Sequence, residues 1–373
     1  MTPKTAISSR MGKLIENLTA HEAEALVLNP GPSLTYITGL HFHLSERPVV
    51  VLFCPGSPVT FILPELETAK LSELAYEYQA FPYGEVPSSW PEVFQQAIKS
   101  LRLEDCKIGV EPRSLRVLEL KLLEAAAPKA NFIVADDLIA SLRMKKDEQE
   151  ISAMQEAARI AQEALIATLP DIKIGQTEEK IATQLSLQLL RCGSNPQLPF
   201  FPIVSSGPNS ANPHAFPSKR KLAEGDLLVI DWGANVDGYY SDITRTFALD
   251  SVSPEFHKIA EIVYKANQAG HATAGPGISA GEIDRAARTV IENSGYGEYF
   301  IHRTGHGLGL EGHEEPFIRG DNEMILEPGM TFTIEPGIYL PGRGGVRIED
   351  DVVITQNGIK SLTDLPRNLI TLG

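Results

Sequence analysis

Four carboxylates interrupt apolar, β-rich runs in the second half of the chain: Asp231 in LLVIDWG, Asp242 in YYSDITRT, Glu335 in TFTIEPG and Glu349 in GVRIEDD. A carboxylate in a run that should be buried costs several kcal/mol unless it is paired, protonated or bound to a metal. Asp242 follows Asp231 by eleven positions, across a turn signal at Asp237-Gly238 that can fold the second run back beside the first. Two acids on adjoining strands repel each other in a low-dielectric site, and a multivalent cation relieves the repulsion. The competing reading is a hairpin whose aspartates are solvated or paired with Arg245. Glu335 precedes Pro336 and so lies in extended backbone. Asp350 and Asp351 follow Glu349, and alternation turns Asp350 to the face opposite Glu349. Singly, each Glu reads as a strand-end acid facing water. Four such acids and a histidine in one domain read as one site.

The imidazoles cluster as well. His302, His306 and His313 fall within HRTGHGLGLEGHEEP, three of the nine histidines in the chain. The competing reading is a surface loop that holds histidines. Gly307, Gly309 and Gly312 fit G-x-G-x-x-G, but no apolar strand precedes them and Pro316 blocks the helix a dinucleotide site requires. His302 and His306 have H-x-x-x-H spacing, but Arg303 stands where the zinc-peptidase motif needs Glu. Oxygen-rich ligation with one imidazole differs from a structural zinc site, which prefers thiolates. It suits Mn²⁺, Fe²⁺ or Co²⁺, with Zn²⁺ an alternative. Five such ligands can hold two ions about 3.5–4 Å apart, and a water bridging them becomes a hydroxide nucleophile near neutral pH.

Positioning these groups needs strands at residues 227–230, 330–334, 346–349 and 352–355, with helices to back them. Ile151, Met154, Ala158, Ala161 and Leu165 form one helical stripe. Ser253-Pro254 starts a second helix, which Gly270 is expected to end; Ser279 and Glu282 form a capping box for a third, closed by Gly295. Helices followed by strands predict α+β beyond residue 140. The first third reads as a smaller α/β unit, with strands at 25–28, 49–53 and 59–63 and helices at 65–79, 91–101 and 114–126. At 373 residues, two to three domains are expected, and a net charge of −15 argues against a nucleic-acid partner. The most apolar stretch, Pro48 to Pro64, is broken by Pro55, Gly56 and Pro58, so no membrane span is expected. MTPKTAISSR lacks the apolar segment of a secretory signal. Three scattered cysteines make a disulfide framework improbable, and the expected compartment is the cytoplasm.

Asp231, Asp242, His306, Glu335 and Glu349, in this order and these contexts, resemble the pita-bread metallopeptidases, which include prolidase, aminopeptidase P and methionine aminopeptidase. The resemblance covers roughly residues 140–373. It implies a catalytic pita-bread domain over 139–373, preceded by a creatinase-like α/β domain over 1–138. That first domain and GVRIEDD imply the proline-specific branch. By the same resemblance Asp231 chelates one ion, Asp242 and Glu349 bridge two, and His306 and Glu335 hold the second, with Glu335 also shuttling a proton. His214 would steady the reacting amide, His313 would bond the scissile carbonyl, and His302 would line the pocket. Arg347 would orient the bridging carboxylates, or else pair with Asp350 or Asp351, and Tyr339 would add a hydroxyl or simply pack.

The implied reaction is dinuclear hydrolysis of the Xaa-Pro bond, with dipeptides as first choice and longer Xaa-Pro peptides as the rival. Mn²⁺ is the favoured ion, and a homodimer is implied. Some prolidases carry an Arg just after the HExP segment that meets the dipeptide carboxylate; here Phe317 stands there. His41, His43 and Arg47 are alternative candidates for that contact, or belong to a surface loop. Two other readings share the fold: a metal-free creatinase-like hydrolase of small amidino or amide compounds, and a binding protein that has lost catalysis. Five intact ligands argue against both.

Overall fold

A computed structural model describes residues 4–372. The chain separates into two units, Met1–Arg143 and Met144–Gly373. In the first, α1 (Lys4–Ala20) precedes β1 (Ala25–Leu28), α2 (Pro32–Thr38), β2 (Val50–Phe53) and β3 (Val59–Pro64). There follow β4 (Tyr78–Tyr83), α3 (Trp90–Leu101), β5 (Lys107–Val110), α4 (Val117–Ala126), β6 (Asn131–Val134) and α5 (Asp136–Arg143). The strands form one mixed sheet in the order β4-β3-β2-β1-β5-β6. Its central strands are buried along their whole length, which is why they read as continuous apolar runs. The helix expected at 65–79 is not formed. Residues 65–73 make 3₁₀ turns, and β4 pairs in parallel with β3 at the sheet edge. Composition favoured a helix there, but the edge of β3 offers hydrogen bonds that composition does not register.

The second unit begins with α6 (Glu148–Thr168) and α7 (Glu178–Arg191). Asp147 and Glu150 close a capping box on α6, and Met154, Ala158, Ala161 and Leu165 are buried. Next come β7 (Ile203–Ser206), β8 (Leu227–Trp232), β9 (Asn235–Val236), β10 (Tyr239–Tyr240) and β11 (Ile243–Leu249). Asp237 and Gly238, both with positive φ (52° and 88°), turn β9 into β10, so that β11 returns antiparallel to β8. Helices α8 (Pro254–Thr273) and α9 (Ala280–Asn293) follow. Gly270 does not end α8. It lies inside the helix where a Cβ would meet the Ile334 side chain at 2.9 Å, so the residue permits close packing instead of termination.

The remaining strands are β12 (Gly305–Gly307), β13 (Glu314–Ile318), β14 (Thr331–Ile334), β15 (Gly337–Leu340), β16 (Gly344–Arg347), β17 (Asp350–Thr355), β18 (Gly358–Ser361) and β19 (Ile370–Leu372). They complete two principal sheets, β19-β11-β8-β7 and β13-β12-β14-β17-β18, plus the β15–β16 hairpin. Apolar faces of α6 and α7 pack on β8 and β11 through Ala157, Ile181, Leu228, Ile230 and Phe247. Side chains of α8 and α9 pack on Ile338, Val346 and Ile348 beside the polar centre. This is the expected α+β arrangement, strands carrying the polar groups and helices closing behind them. Among the described residues no helix is long and apolar enough to cross a membrane.

Candidate metal centre

Strand ends deliver all the predicted ligands to one place. Asp231 lies in β8 opposite Thr244 of β11, and Asp242 directly precedes β11. His306 is the middle residue of β12, Glu335 follows β14, and Glu349 sits between β16 and β17. Donor atoms of Asp242, His306 and Glu349 all lie within 4.8 Å of one another. His306 Nε2 is 3.8 Å from Asp242 Oδ2 and 3.4 Å from Glu335 Oε1. The backbone pins the acids. Glu335 N donates to Thr304 O (2.7 Å), Glu349 N to Thr244 O (3.1 Å) and Asp242 N to Asp351 Oδ2 (3.0 Å).

Arg347 and Thr244 tie the carboxylates together. Arg347 Nη2 donates to Asp231 Oδ2 (2.6 Å) and its Nε to Thr244 Oγ1 (3.0 Å), while Thr244 Oγ1 donates to Glu349 Oε2 (2.5 Å). Arg347 therefore pairs with neither Asp350 nor Asp351, as one reading of the sequence had it. Nor does Arg245 pair with the aspartates of the hairpin. Arg245 bonds Asp350 Oδ1 (2.7 Å) and the Glu349 carbonyl (2.6 Å). Asp350 points away from the centre, as strand alternation predicts, into a buried set with Arg245, Arg367 and Thr363.

The histidines divide into two kinds. Arg347 Nη1 donates to the Tyr339 hydroxyl (3.0 Å), which lies 2.8 Å from His302 Nε2, and His302 Nδ1 lies 2.7 Å from Arg303 O. Donors and acceptors are consistent in one direction only: arginine to tyrosine, tyrosine to His302 Nε2, His302 Nδ1–H to the carbonyl. Both nitrogens of His302 are thus engaged inside the protein, and Tyr339 is bonded as well as packed. His214 and His313 are exposed. The His313 ring is 4.0 Å from that of His306, and His214 acts electrostatically on Asp231 and His313. Thr244 and Thr333 escaped the sequence reading, and Asp351 was named there only as a neighbour of Glu349 and a partner for Arg347. Thr333 Oγ1 accepts from His306 N (3.1 Å) and lies 3.5 Å from Glu335 Oε1. The alternation that put Asp350 on the far face also puts Asp351 on the near one, which was the available signal.

Electrostatics fit a cation. Burial, followed by repulsion from Glu349 for Asp242 and from Glu335 and Asp231 for Glu349, pushes Asp242 and Glu349 far above the usual carboxylate range. Burial raises Asp231 and takes Glu335 to about 7, in each case against the opposing pull of Arg347. Burial holds His306 neutral, and its Nδ1 bonds the Gly307 carbonyl (3.1 Å), which leaves the Nε2 lone pair facing the acids. Asp231 Oδ1 is buried and has no hydrogen-bond partner among the described residues. Four carboxylates gathered around the guanidinium of Arg347 leave a surplus of negative charge that two divalent cations would neutralise. The donor set, one oriented imidazole and hard oxygens, suits such ions.

Comparisons with known proteins agree with this geometry. Residues 152–356 match Metallopeptidase family M24, and residues 10–145 match the Creatinase/Prolidase N-terminal domain. The chain is 36% identical over 367 residues to the Xaa-Pro dipeptidase of Pyrococcus horikoshii, covering 98% of this chain and 99% of that protein. Its fold is similar to the crystal structure of recombinant prolidase from Thermococcus sibiricus (TM-score 0.93, 36% identity, 98% and 99% of the two chains). It is also similar to X-Pro aminopeptidase from Thermotoga maritima (TM-score 0.84, 30% identity, 97% and 99%).

Proposed function

The chain belongs to metallopeptidase family M24, and from that premise we propose that it hydrolyses the Xaa-Pro bond of dipeptides. The observation that carries the reading is the convergence of Asp242, His306 and Glu349 within 4.8 Å, with Glu335 beside His306 and Asp231 held by Arg347. Asp231, Asp242, His306, Glu335 and Glu349 would hold two divalent ions. Bound there, such ions supply Lewis acidity and make a water nucleophilic at neutral pH. Glu335 takes the proton of the attacking water and passes it to the departing prolyl nitrogen. His313 and His214 offer donors to the carbonyl oxygen and the amide, where charge develops. Arg347 is a positioning residue: it fixes Asp231 directly and Glu349 through Thr244. His302 acts on Arg347 through Tyr339.

The same proposal takes Mn²⁺ as the ion, supported by the oxygen-rich donors, and the cytoplasm as the compartment, supported by three free cysteines. It takes a homodimer as the working form, supported by the exposed Phe201, Phe216 and Ile301 of the second unit. Protein stripped of metal and reloaded with Mn²⁺ should cleave Ala-Pro, and stripped protein should not. Cleavage chiefly of Ala-Pro-Ala would favour an aminopeptidase acting on longer peptides, the activity in the name of the Thermotoga structure. No cleavage of either peptide with two ions bound would exclude proline-directed hydrolysis.

A further inference from the structure

His214 is carried by neither helix nor strand. It lies in the connection from β7 to β8, where the regular turns are the 3₁₀ residues Gly207–Ala211, and its side chain is exposed. A donor aimed at a developing charge tolerates little misplacement: an error of about 1 Å costs on the order of a hundredfold in rate. The connection therefore has to be fixed from outside itself.

Glu178, the first residue of α7, does this. It is fully buried, and its carboxylate clasps both arms of the connection. Oε1 accepts from Ser206 N (2.7 Å) and Ser206 Oγ (2.8 Å), and Oε2 from Ser218 N (3.0 Å) and Ser218 Oγ (2.7 Å). Asn209 Nδ2 reaches both oxygens, at 3.2 and 3.0 Å. The hydroxyl protons are assigned as well. Ser206 Oγ accepts from Arg220 Nη1 and Ser218 Oγ from Arg220 N, so each turns its hydrogen to Glu178. Every partner is thus a donor, and a carboxamide in that place would set its NH2 against a backbone N–H whichever way it turned. Among the described residues none of these bonds reaches a metal ligand. Beyond this neck the connection is laid on β16. Ser210 Oγ accepts from Gly345 N (2.9 Å), where a Cβ on Gly345 would collide with the Ser210 carbonyl oxygen. Pro213 O accepts from Arg347 Nη1 (3.3 Å), on the guanidinium that holds Asp231, and His214 is the next residue.

We infer that Glu178 is the positioning residue for His214: by closing the neck of the loop it aims the imidazole at the scissile amide. This rests on the proposed Xaa-Pro hydrolysis. The test is a double-mutant cycle on the metal-loaded protein. It measures kcat and KM for Ala-Pro, with ions bound per chain, in wild type, Glu178→Gln, His214→Ala and the double variant. Glu178→Gln should lose about ten- to a hundredfold, mainly in kcat, with the ions retained. In the His214→Ala background the same substitution should cost no more than about twofold. Equal losses in both backgrounds would overturn the inference, since a general loosening of the fold does not depend on the imidazole. So would loss of bound ions from Glu178→Gln, or a wild-type kcat in either single variant. If Glu178→Gln fails to fold, Ser218→Ala, which removes one donor from the returning arm, takes its place in the cycle under the same criteria. A wild type that binds ions and leaves Ala-Pro intact overturns the hydrolysis reading, and this inference with it.

Discussion

At the scale of single residues, Thr244 shows how little material holds the centre together. One hydroxyl accepts from Arg347 Nε and donates to Glu349 Oε2, so it joins the guanidinium bonded to Asp231 to the carboxylate between β16 and β17. Thr244→Val keeps the shape and removes both bonds, leaving a buried N–H and a buried carboxylate oxygen short of partners. Metal affinity should fall about 10- to 100-fold, read by competition with a chelator, while an unchanged affinity would show that Thr244 only packs. The ligands themselves were legible because a carboxylate in an apolar run contradicts its surroundings. Thr244 was not, since threonine is at home in any strand and nothing about it looks out of place. The partner of Arg347 was hidden for another reason: Asp231 is 116 positions away, and only the folded sheets bring the two together.

At the scale of elements, α8 is as much a part of the centre as the strands. Asn267, fully buried, donates to the Ile334 carbonyl (3.0 Å), to that of Ile348 (3.5 Å) and to Asp350 Oδ2 (3.3 Å). Those two carbonyls immediately precede Glu335 and Glu349, so one amide on the helix sets the ends of two ligand-bearing strands. Asn267→Leu should cost about 1–3 kcal/mol in a denaturant titration and also weaken metal binding. A stability loss with unaltered metal affinity would separate the helix from the centre. Helix starts were readable where caps exist, as at Ser279 and Glu282. Helix α8 outran its expected end because Gly270 was taken for a stop signal, whereas it answers to Ile334, more than sixty residues further along the chain. Strand β4 was missed for a similar reason, its strand character being supplied by β3. Local signals mark where an element starts; pairing and packing partners decide how far it runs.

At the scale of the whole molecule, the fold spends stability to keep its acids together. The Glu335 carboxyl rises from about 4.5 unfolded to about 7 in the folded chain without metal, chiefly through burial. Its contribution is therefore intact below pH 4.5 and is lost as pH climbs towards 7, because the unfolded carboxyl ionises first. Glu335→Gln removes that loss. In metal-stripped protein the melting temperature of the variant should gain on wild type as pH rises from about 4.5 to 7, and a constant gap would show that Glu335 is already charged in the folded chain. Metal reverses the balance, since ions that bind only the folded chain stabilise it by mass action. This surplus of buried negative charge exists to hold two ions that perform hydrolysis. The most direct measurement returns Mn²⁺ stepwise to the stripped protein, counting ions bound per chain while following Ala-Pro cleavage. Two ions per chain are expected at saturation, with cleavage restored as they bind. Full cleavage by the stripped protein, or saturation without any bound ion, would contradict that expectation.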